Sequence, residues 1–334
     1  MKRNLYLFKH GRLRRRGNTL YLEAGSGTDG EGDQILPIES IEALYLFGEL
    51  ELNTKLLNFL AYKGIPMHIF NYYGYYSGSF MPRDRRPSGF LLIRQARAYW
   101  DEGERRYLAA EIVGGSLHHI LRTLRDYRHR GKPVEPYIAE IEQERARIPA
   151  ARGIPELMGI EGRARERYYQ AWGEILNWDI SGFKRIRRPP DSPLNALISF
   201  ANGVLYAAVL QELYHTALHP AISFLHEPGE RRYSLALDLA DIFKALIVDP
   251  TIFRLINRRE LTEADFAAEG QGVFLSEAGR KKVLRALEET FRRTVQHRQL
   301  RRKVSYRRLL RLEGYKLVRH LVGDEDYRAF RAWW

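Results

Sequence analysis

The 334-residue sequence contains no cysteine. This absence excludes disulfides, thiolate metal sites and cysteine nucleophiles, and it suits a reducing compartment such as the cytoplasm. Any metal ion must therefore be bound by carboxylates or imidazoles. The sequence also lacks a glycine-rich phosphate loop, an uninterrupted apolar run of about 18 residues and a cleavable apolar segment at its start. We expect a cytoplasmic protein that neither spans a membrane nor is secreted.

Acidic residues are outnumbered by basic ones. The chain has 41 Asp and Glu against 54 Lys and Arg, a formal net charge of +13 and a pI of about 9.8. Clustered basic residues gain affinity for nucleic acid by releasing the counterions condensed on phosphates. A polyanion is therefore the expected partner, with the charged surface of a thermophile's protein as the alternative interpretation.

The length and pattern of the chain predict two domains, because single cores usually stop growing near about 250 to 300 residues. Short β-rich runs separated by turn residues, with one helical stretch at 55–63, predict a small β-rich domain over residues 1–83. The charged, proline-containing residues 84–90 predict a linker. Apolar residues at helical spacing predict a larger all-α domain over residues 91–334, so the expected fold class is α+β.

The most apolar predicted helix spans residues 195–218, between Pro193 and Pro220. It should form the core of the second domain. Helical spacing also predicts helices at 91–127 and 138–148, and a final set of helices from residue 276 to the aromatic end of the sequence.

Three residues have the chemistry to bind a hard divalent metal ion: Glu161, His226 and Asp241. Glu161 lies near the start of a helix predicted to reach about residue 178. His226 ends an apolar run, and the chain then passes through a loop to a helix predicted to start near Asp238. An imidazole and two carboxylates leave coordination positions open for phosphate oxygens and an attacking hydroxyl. In a basic chain this donor set indicates chemistry on nucleic acid.

The same residues also have simple structural interpretations. Glu161 can favour the dipole of a helix start and pair with Arg165 four residues later. Asp238 can cap its helix, with Asp241 in the acidic position of a capping box. The alternative function is therefore a non-catalytic basic scaffold that binds branched DNA.

A rival metal site is Glu212, His215 and His219, because histidines four residues apart share a helix face. The glutamate precedes the first histidine instead of lying between the two, and no third ligand is evident. This site would imply a zinc hydrolase.

Two groups of basic residues are candidates for contact with a DNA backbone. The first, between the Glu161 helix and the apolar helix, contains Lys184, Arg185, Arg187 and Arg188. The second contains Arg298, Arg301 and Arg302, which helical spacing would place on one face. A solvated basic face is the alternative interpretation of the second group.

Four motifs occur in order along the second half of the chain. They are residues 158–164 (MGIEGRA), 189–195 (PPDSPLN), 222–227 (ISFLHE) and 234–241 (SLALDLAD). Together they resemble the successive signatures of the CRISPR-associated Cas1 family, the integrase of spacer acquisition. The resemblance extends over the whole chain.

The resemblance implies a fold and a site. The implied fold is a small β-sandwich-like domain that mediates dimerisation, joined to an all-α catalytic domain. The implied ligands of Mg²⁺ or Mn²⁺ are Glu161, His226 and Asp241, with Asp238 as a further catalytic acid. Position 241 is Asp where many relatives have Glu. The other matching family positions are Asn195 and Tyr206.

The resemblance also implies a reaction and partners. The 3′-hydroxyl of a short DNA fragment, the protospacer, attacks a phosphodiester of the CRISPR array by transesterification, and hydrolysis uses the same site. The implied partners are double-stranded and branched DNA, a second copy of the chain and the small Cas2 protein.

Overall fold

The computed structural model describes residues 2–24, 33–82, 88–230 and 232–334. The chain divides into two compact units, Met1–Pro87 and Ser88–Trp334. The predicted linker at 84–90 lies partly outside the described residues. Its last two residues, Gly89 and Phe90, belong instead to a helix, because the side chain of Ser88 caps that helix by accepting a hydrogen bond from the backbone of Leu91.

The described residues of the first unit form two four-stranded sheets and one α-helix. Its elements are β1 (Arg3–Leu7), β2 (Gly11–Arg16), β3 (Thr19–Ala24), β4 (Gln34–Pro37), β5 (Ile41–Leu46), β6 (Leu50–Glu51), α1 (Thr54–Lys63), β7 (Met67–Phe70) and β8 (Tyr76–Phe80). One sheet has the order β1-β5-β7-β8, in which only the β7–β8 pair is antiparallel. The other has the order β4-β3-β2-β6, in which only the β2–β6 pair is parallel.

Both sheets and α1 contribute to one apolar core. Alternating burial along β3 directs Leu20 and Leu22 into it. Leu44 of the other sheet and Leu56 of α1 belong to the same cluster. Gly64, in the left-handed conformation with φ of 67°, ends α1 before β7 begins. This arrangement agrees with the predicted β-sandwich-like character.

The second unit is mostly helical. Its helices are α2 (Gly89–Trp100), α3 (Glu102–His129), α4 (Glu135–Ala146), α5 (Ile154–Ile175), α6 (Pro193–Leu213), α7 (Ser234–Phe243), α8 (Asp249–Asn257), α9 (Glu277–Arg292) and α10 (Tyr306–Val322). The helix predicted at 91–127 is two helices, because Asp101 ends α2 and caps α3 through the backbone N–H of Glu104. Together the two units confirm the α+β class.

Two antiparallel hairpins modify the predicted all-α character. They are β9 (Phe266–Glu269) with β10 (Gly272–Leu275), and β11 (Thr294–His297) with β12 (Arg302–Ser305). The second hairpin contradicts the prediction that Arg298, Arg301 and Arg302 share a helix face. Arg298 and Arg301 lie in its turn, and the positive φ of Arg301, 50°, is incompatible with a continuous helix.

Helix α6 forms the core that its apolar sequence predicts, since residues such as Leu197, Val204 and Leu205 are completely buried. By length and composition it is the one helix among the described residues that qualifies as a membrane span. However, 72% of its most apolar stretch is buried inside the protein, which is typical of a core helix.

Helices α7 and α8 are joined by a five-residue π-helix, Lys244–Val248. The backbone N–H of Asp249 donates to the carbonyl oxygen of Lys244, five residues earlier. Such segments are rare within helices and frequently occur at functional sites.

Candidate metal centre

Asp238 organises the loop that carries His226. Its Oδ2 accepts hydrogen bonds from the backbone N–H groups of Phe224 at 2.7 Å and Leu225 at 3.0 Å. Its Oδ1 accepts from the backbone N–H of His226 at 2.9 Å and from Nδ1 of the same residue at 2.8 Å. The predicted role of Asp238 as a helix cap is wrong, because α7 starts at Ser234 and Asp238 is already inside its first turns. Asp238 holds the loop instead.

The bond to Asp238 also orients the imidazole of His226. A carboxylate only accepts, so Nδ1 carries the proton, and Nε2 has its lone pair available when the ring is neutral. Burial lowers the pKa of His226, but the hydrogen bond to Asp238 and the charge of Asp241 outweigh it and raise that pKa above its ordinary value.

Asp241 lies three residues after Asp238 and faces the same histidine. Nε2 of His226 and Oδ2 of Asp241 are 3.8 Å apart. Asp241 also forms an ion pair with Lys244. Burial raises the pKa of Asp241, but the charges of Lys244, Arg165 and His226 outweigh burial and hold that pKa below its usual range. Asp241 is therefore an ionised carboxylate at neutral pH.

Glu161 is the eighth residue of α5, so it lies beyond the helix start where the sequence placed it. Its Oε1 pairs with Arg165 at 3.0 Å, the contact between residues four apart that the structural interpretation predicted. Arg165 also donates to Oγ of Ser116 at 3.1 Å. Burial lowers the pKa of Arg165, but nearby acids that include Glu161 and Asp241 more than compensate and raise it. Arg165 is thus close to both acids.

The side chains present fit a metal ion only in part. No group of three or more His, Asp or Glu side chains positioned to hold a metal occurs in the described part of the chain. His226 and Asp241 come close to a fit, since two ligands at right angles on a hard divalent ion are about 3 Å apart and their Nε2 and Oδ2 atoms are 3.8 Å apart. Glu161 is held by Arg165. Arg165 engages Oε1, so Glu161 can complete the set through Oε2 or after Arg165 releases Oε1.

The rival zinc site is not supported. Oε2 of Glu212 accepts a hydrogen bond from Arg311 at 2.6 Å, and the residue is almost completely buried. His215 and His219 join no metal-binding group among the residues that the structure describes. The apparent motif reflects a buried ion pair between α6 and α10.

Asn195, at the start of α6, holds the first basic segment. Its Nδ2 donates to the carbonyl oxygen of Lys184 at 2.8 Å and to Oδ1 of Asp191 at 2.7 Å. Its Oδ1 accepts from Nη1 of Arg185 at 2.9 Å, and Arg185 also donates to Oγ of Ser199 at 2.9 Å. Arg185 therefore fixes the shape of the segment.

Tyr206 lies further along α6 and contacts the residue before α7. Its hydroxyl oxygen accepts a hydrogen bond from the backbone N–H of Tyr233 at 2.9 Å, directly before α7. Burial raises the pKa of Tyr206 and keeps the phenol neutral. Tyr206 thus fixes the start of the helix that carries Asp238 and Asp241.

A groove connects the first basic segment with Glu161. Its volume is about 1140 Å³, and it follows α5 and the loop after it. The lining side chains include Glu161, Arg165, Tyr169, Trp178, Phe183, Lys184, Arg185 and Arg187. The groove therefore brings acidic, aromatic and basic side chains of residues 161–187 together on one surface.

Sequence reasoning missed the side chains that support the His226 loop from α2 and α3. Arg105 donates through Nε to the carbonyl oxygen of Phe224 at 3.0 Å and pairs with Glu227 at 2.5 Å. Nε2 of Gln95 donates to the carbonyl oxygens of His219 at 2.9 Å and Ile222 at 2.7 Å. These contacts span more than 100 residues, so no local pattern reveals them. Lys244 was also missed, although its spacing from Asp241 was a usable signal.

Comparison with known proteins gives consistent matches over the whole chain. The profile of the family described as CRISPR associated protein Cas1 matches residues 5–289. The CRISPR-associated endonuclease Cas1 3 of Thermodesulfovibrio yellowstonii is 46% identical over 333 residues, which cover 99% of this chain and 100% of that protein. The CRISPR-associated endonuclease Cas1 2 of Moorella thermoacetica is 47% identical over 332 residues, 99% of this chain and 100% of that protein.

A solved structure leads to the same result. A Cas1 protein from Thermotoga maritima superposes with a TM-score of 0.88 at 37% identity, covering 97% of this chain and 99% of the other. The motifs, the two-unit fold and these full-length matches agree. This chain belongs to the Cas1 family.

Proposed function

We propose that this chain is a metal-dependent DNA endonuclease and integrase, which inserts short DNA fragments into a CRISPR array through attack by a 3′-hydroxyl. The observation that carries the proposal is the pair formed by His226 and Asp241, whose Nε2 and Oδ2 atoms face each other at 3.8 Å. Relatives at 46% and 47% identity are named CRISPR-associated endonucleases, which supports the same activity.

The proposed metal is Mg²⁺ or Mn²⁺, held by Glu161, His226 and Asp241. When bound, the metal supplies Lewis-acid polarisation of a phosphate oxygen and a lowered pKa for a bound hydroxyl. Asp238 keeps the proton of His226 on Nδ1 and so aims Nε2 at the metal position. Asp241 supplies an ionised oxygen, and Arg165 and Lys244 balance the acids when no metal is bound.

The groove beside Glu161 is the proposed path of a DNA strand. Lys184 and Arg187 line the same cavity as Glu161 and Arg165, so they can neutralise backbone phosphates close to the metal. Its aromatic residues, including Tyr169 and Trp178, can stack on unpaired bases. Arg188 and the hairpin arginines Arg298, Arg301 and Arg302 are proposed as further, more distant contacts.

The remaining assignments follow from family membership and are proposals too. The β-rich residues 1–83 would mediate formation of a homodimer, and residues 91–334 would carry the catalytic site. The partners would be protospacer and repeat DNA and the Cas2 protein. The expected location is the cytoplasm.

One observation favours the alternative, a non-catalytic scaffold that binds branched DNA. Glu161 pairs with Arg165, Asp241 pairs with Lys244, and Asp238 is fully used by the His226 loop. These are the buried pairs that a purely structural role predicts. Such a scaffold would bind DNA as tightly as the proposed integrase, but it would give no metal-dependent product.

The decisive experiment is strand transfer from a labelled duplex with free 3′ ends into a supercoiled plasmid that carries a repeat, with the small partner protein supplied. Reactions contain Mn²⁺ or EDTA. Wild type is compared with Asp241→Ala and with Glu277→Ala, a control in the exposed ion pair between Glu277 and Lys281 on α9.

We expect joined product only with Mn²⁺, in wild type and Glu277→Ala, and none in Asp241→Ala despite unchanged DNA binding. Product that persists in EDTA or in Asp241→Ala would contradict the proposed site. Tight DNA binding by wild type without any product would favour the scaffold.

A further inference from the structure

A short segment after α10, residues 327–332, lies buried across α3, and we call it the strap. Its most buried residues are Tyr327, Ala329, Phe330 and Ala332. At the crossing α3 has Gly115, where a Cβ atom would lie only 2.8 Å from Cβ of Ala329 and 3.4 Å from Cγ2 of Ile242. Glycine inside a helix is less favourable than alanine. Here it allows α3, the strap and α7 to meet.

Buried carboxylates hold the backbone of the strap. Oε2 of Glu111 accepts a hydrogen bond from the N–H of Ala329 at 3.0 Å. Oε1 of Glu313 accepts from the N–H of Phe330 at 3.0 Å and from the hydroxyl of Tyr327 at 2.6 Å. Hydrogen bonds to charged groups are stronger than those between neutral groups. The strap is therefore a fixed part of the helical unit.

His119 of α3 links the strap to the helix that carries Asp241. Its Nε2 accepts a hydrogen bond from the N–H of Ala332 at 3.1 Å, and its Nδ1–H donates to the carbonyl oxygen of Ile242 at 2.7 Å. A neutral imidazole has one donor and one acceptor, and both are used here. Ile242 directly follows Asp241.

Thr123, one turn after His119 on the same face of α3, makes a parallel contact. Its hydroxyl donates to the carbonyl oxygen of Ala245 at 2.9 Å, within the π-helix. The rings of Phe243 and Phe330 stack with centroids 5.7 Å apart, beside His119. The junction of α7 and the π-helix is thus held by α3 and covered by the strap.

We propose that His119 is a positioning residue through which α3 and the strap set the position of Asp241 for metal binding. It acts through the backbone of Ile242. The proposal rests on the proposed function, since Asp241 is a metal ligand only there. Outer partners that orient metal ligands typically change metal affinity by about 10- to 100-fold when removed.

Three variants and a matched control test this role. His119→Leu removes both hydrogen bonds but keeps the bulk, whereas His119→Gln retains a donor and an acceptor. Gly115→Ala places a methyl group between the strap and Ile242. Gly203→Ala, in α6, is the control, because nothing lies within 4 Å of its added Cβ.

The measurements are Mn²⁺ affinity of the DNA-free protein, from the electron paramagnetic resonance signal of free Mn²⁺, and amide hydrogen exchange of residues 240–246. We expect His119→Leu and Gly115→Ala to weaken Mn²⁺ binding by about 10-fold or more and to speed exchange in that segment. His119→Gln should recover most of the affinity, and Gly203→Ala should match wild type.

The positioning role would be overturned if His119→Leu and Gly115→Ala bound Mn²⁺ as tightly as wild type. It would also be overturned if Gly203→Ala lost as much Mn²⁺ affinity as they do. If His119→Leu does not fold, the Mn²⁺ affinity and the hydrogen exchange of Gly115→Ala alone decide whether the packing of α3 and the strap positions Asp241. Failure of wild type itself to bind Mn²⁺ would instead reject the proposed metal site, so the two failures are distinguishable.

Discussion

Asp238 and His226 are joined twice, because Oδ1 of Asp238 accepts from the Nδ1–H of His226 at 2.8 Å and from its backbone N–H at 2.9 Å. Carboxylates that accept from the far nitrogen of a metal-binding histidine fix its tautomer and raise its basicity. Asp241, three residues later, is on the other side of the imidazole. The two acids of one helix therefore have different roles.

Replacing each acid by asparagine should separate these roles. Asp238→Asn puts an NH₂ group against buried backbone donors, so we expect the free energy of unfolding to fall by about 3 kcal/mol or more. Asp241→Asn should cost less than about 1.5 kcal/mol, because Lys244 is partly exposed and can be solvated. Both variants should lose strand-transfer activity. Urea unfolding followed by circular dichroism measures the difference, and equal losses would contradict the assignment.

The pair of Glu161 and Arg165 can be examined by a double-mutant cycle. Glu161→Gln leaves a largely buried guanidinium without its carboxylate, which typically costs about 3–5 kcal/mol. Arg165→Met alone should leave Glu161 free to bind metal. We therefore expect Arg165→Met to bind Mn²⁺ more tightly than wild type, and the double variant to regain stability over Glu161→Gln. Weaker Mn²⁺ binding by Arg165→Met would mean that the guanidinium positions Glu161 and does not compete with the metal.

Asp249, at the start of α8, should make stability depend on pH. Burial raises its pKa from 3.8 to about 6. The folded state then binds a proton more tightly than the unfolded state, so the contribution of Asp249 is most favourable below pH 3.8 and is lost as pH rises through about 6. We expect Asp249→Asn to be more stable than wild type by about 3 kcal/mol at pH 8.

The same difference should shrink to about 1.5 kcal/mol at pH 5, because Asp249 is then mostly protonated in the folded state. Chemical denaturation of both proteins at each pH gives the comparison. A difference that is constant between pH 5 and pH 8 would show that Asp249 does not titrate in this range.

The first basic segment, which includes Lys184 and Arg187, should contribute to the salt dependence of DNA binding. Each phosphate contact that is removed reduces the magnitude of the slope of log affinity against log salt concentration by about 0.9. We expect Lys184→Gln to lower it by about that amount without loss of stability, and Arg187→Gln to lower it by a similar amount. Arg185→Gln should instead lower stability, since Arg185 is held by Asn195 and Ser199. Lys63→Gln in α1 is the control, and fluorescence anisotropy in a salt series is the measurement.

Local sequence signals correctly predicted much of the fold. The apolar run between Pro193 and Pro220 placed the core helix α6, although the helix ends at Leu213, five residues before the predicted end at residue 218. Charge patterning failed at Arg298, Arg301 and Arg302, because a count of basic residues does not distinguish a helix from a hairpin turn with a positive φ at Arg301. The spacing of Asp238 and Asp241 suggested a capping box, but α7 begins earlier at Ser234.

The sequence by itself determined the candidate residues of the site and their chemistry. Without cysteine, only carboxylates and imidazoles remain as donors, and the ordered motifs single out Glu161, His226 and Asp241. Only the tertiary structure decided the different roles of Asp238 and Asp241, because the loop that distinguishes them, with Phe224, Leu225 and His226, lies outside their own helix. Asp238 supports a loop that begins 14 residues earlier, and the helix of Asp241 is held by His119, 123 residues from Ile242. Periodicity describes one element at a time, whereas these contacts join elements that only folding brings together.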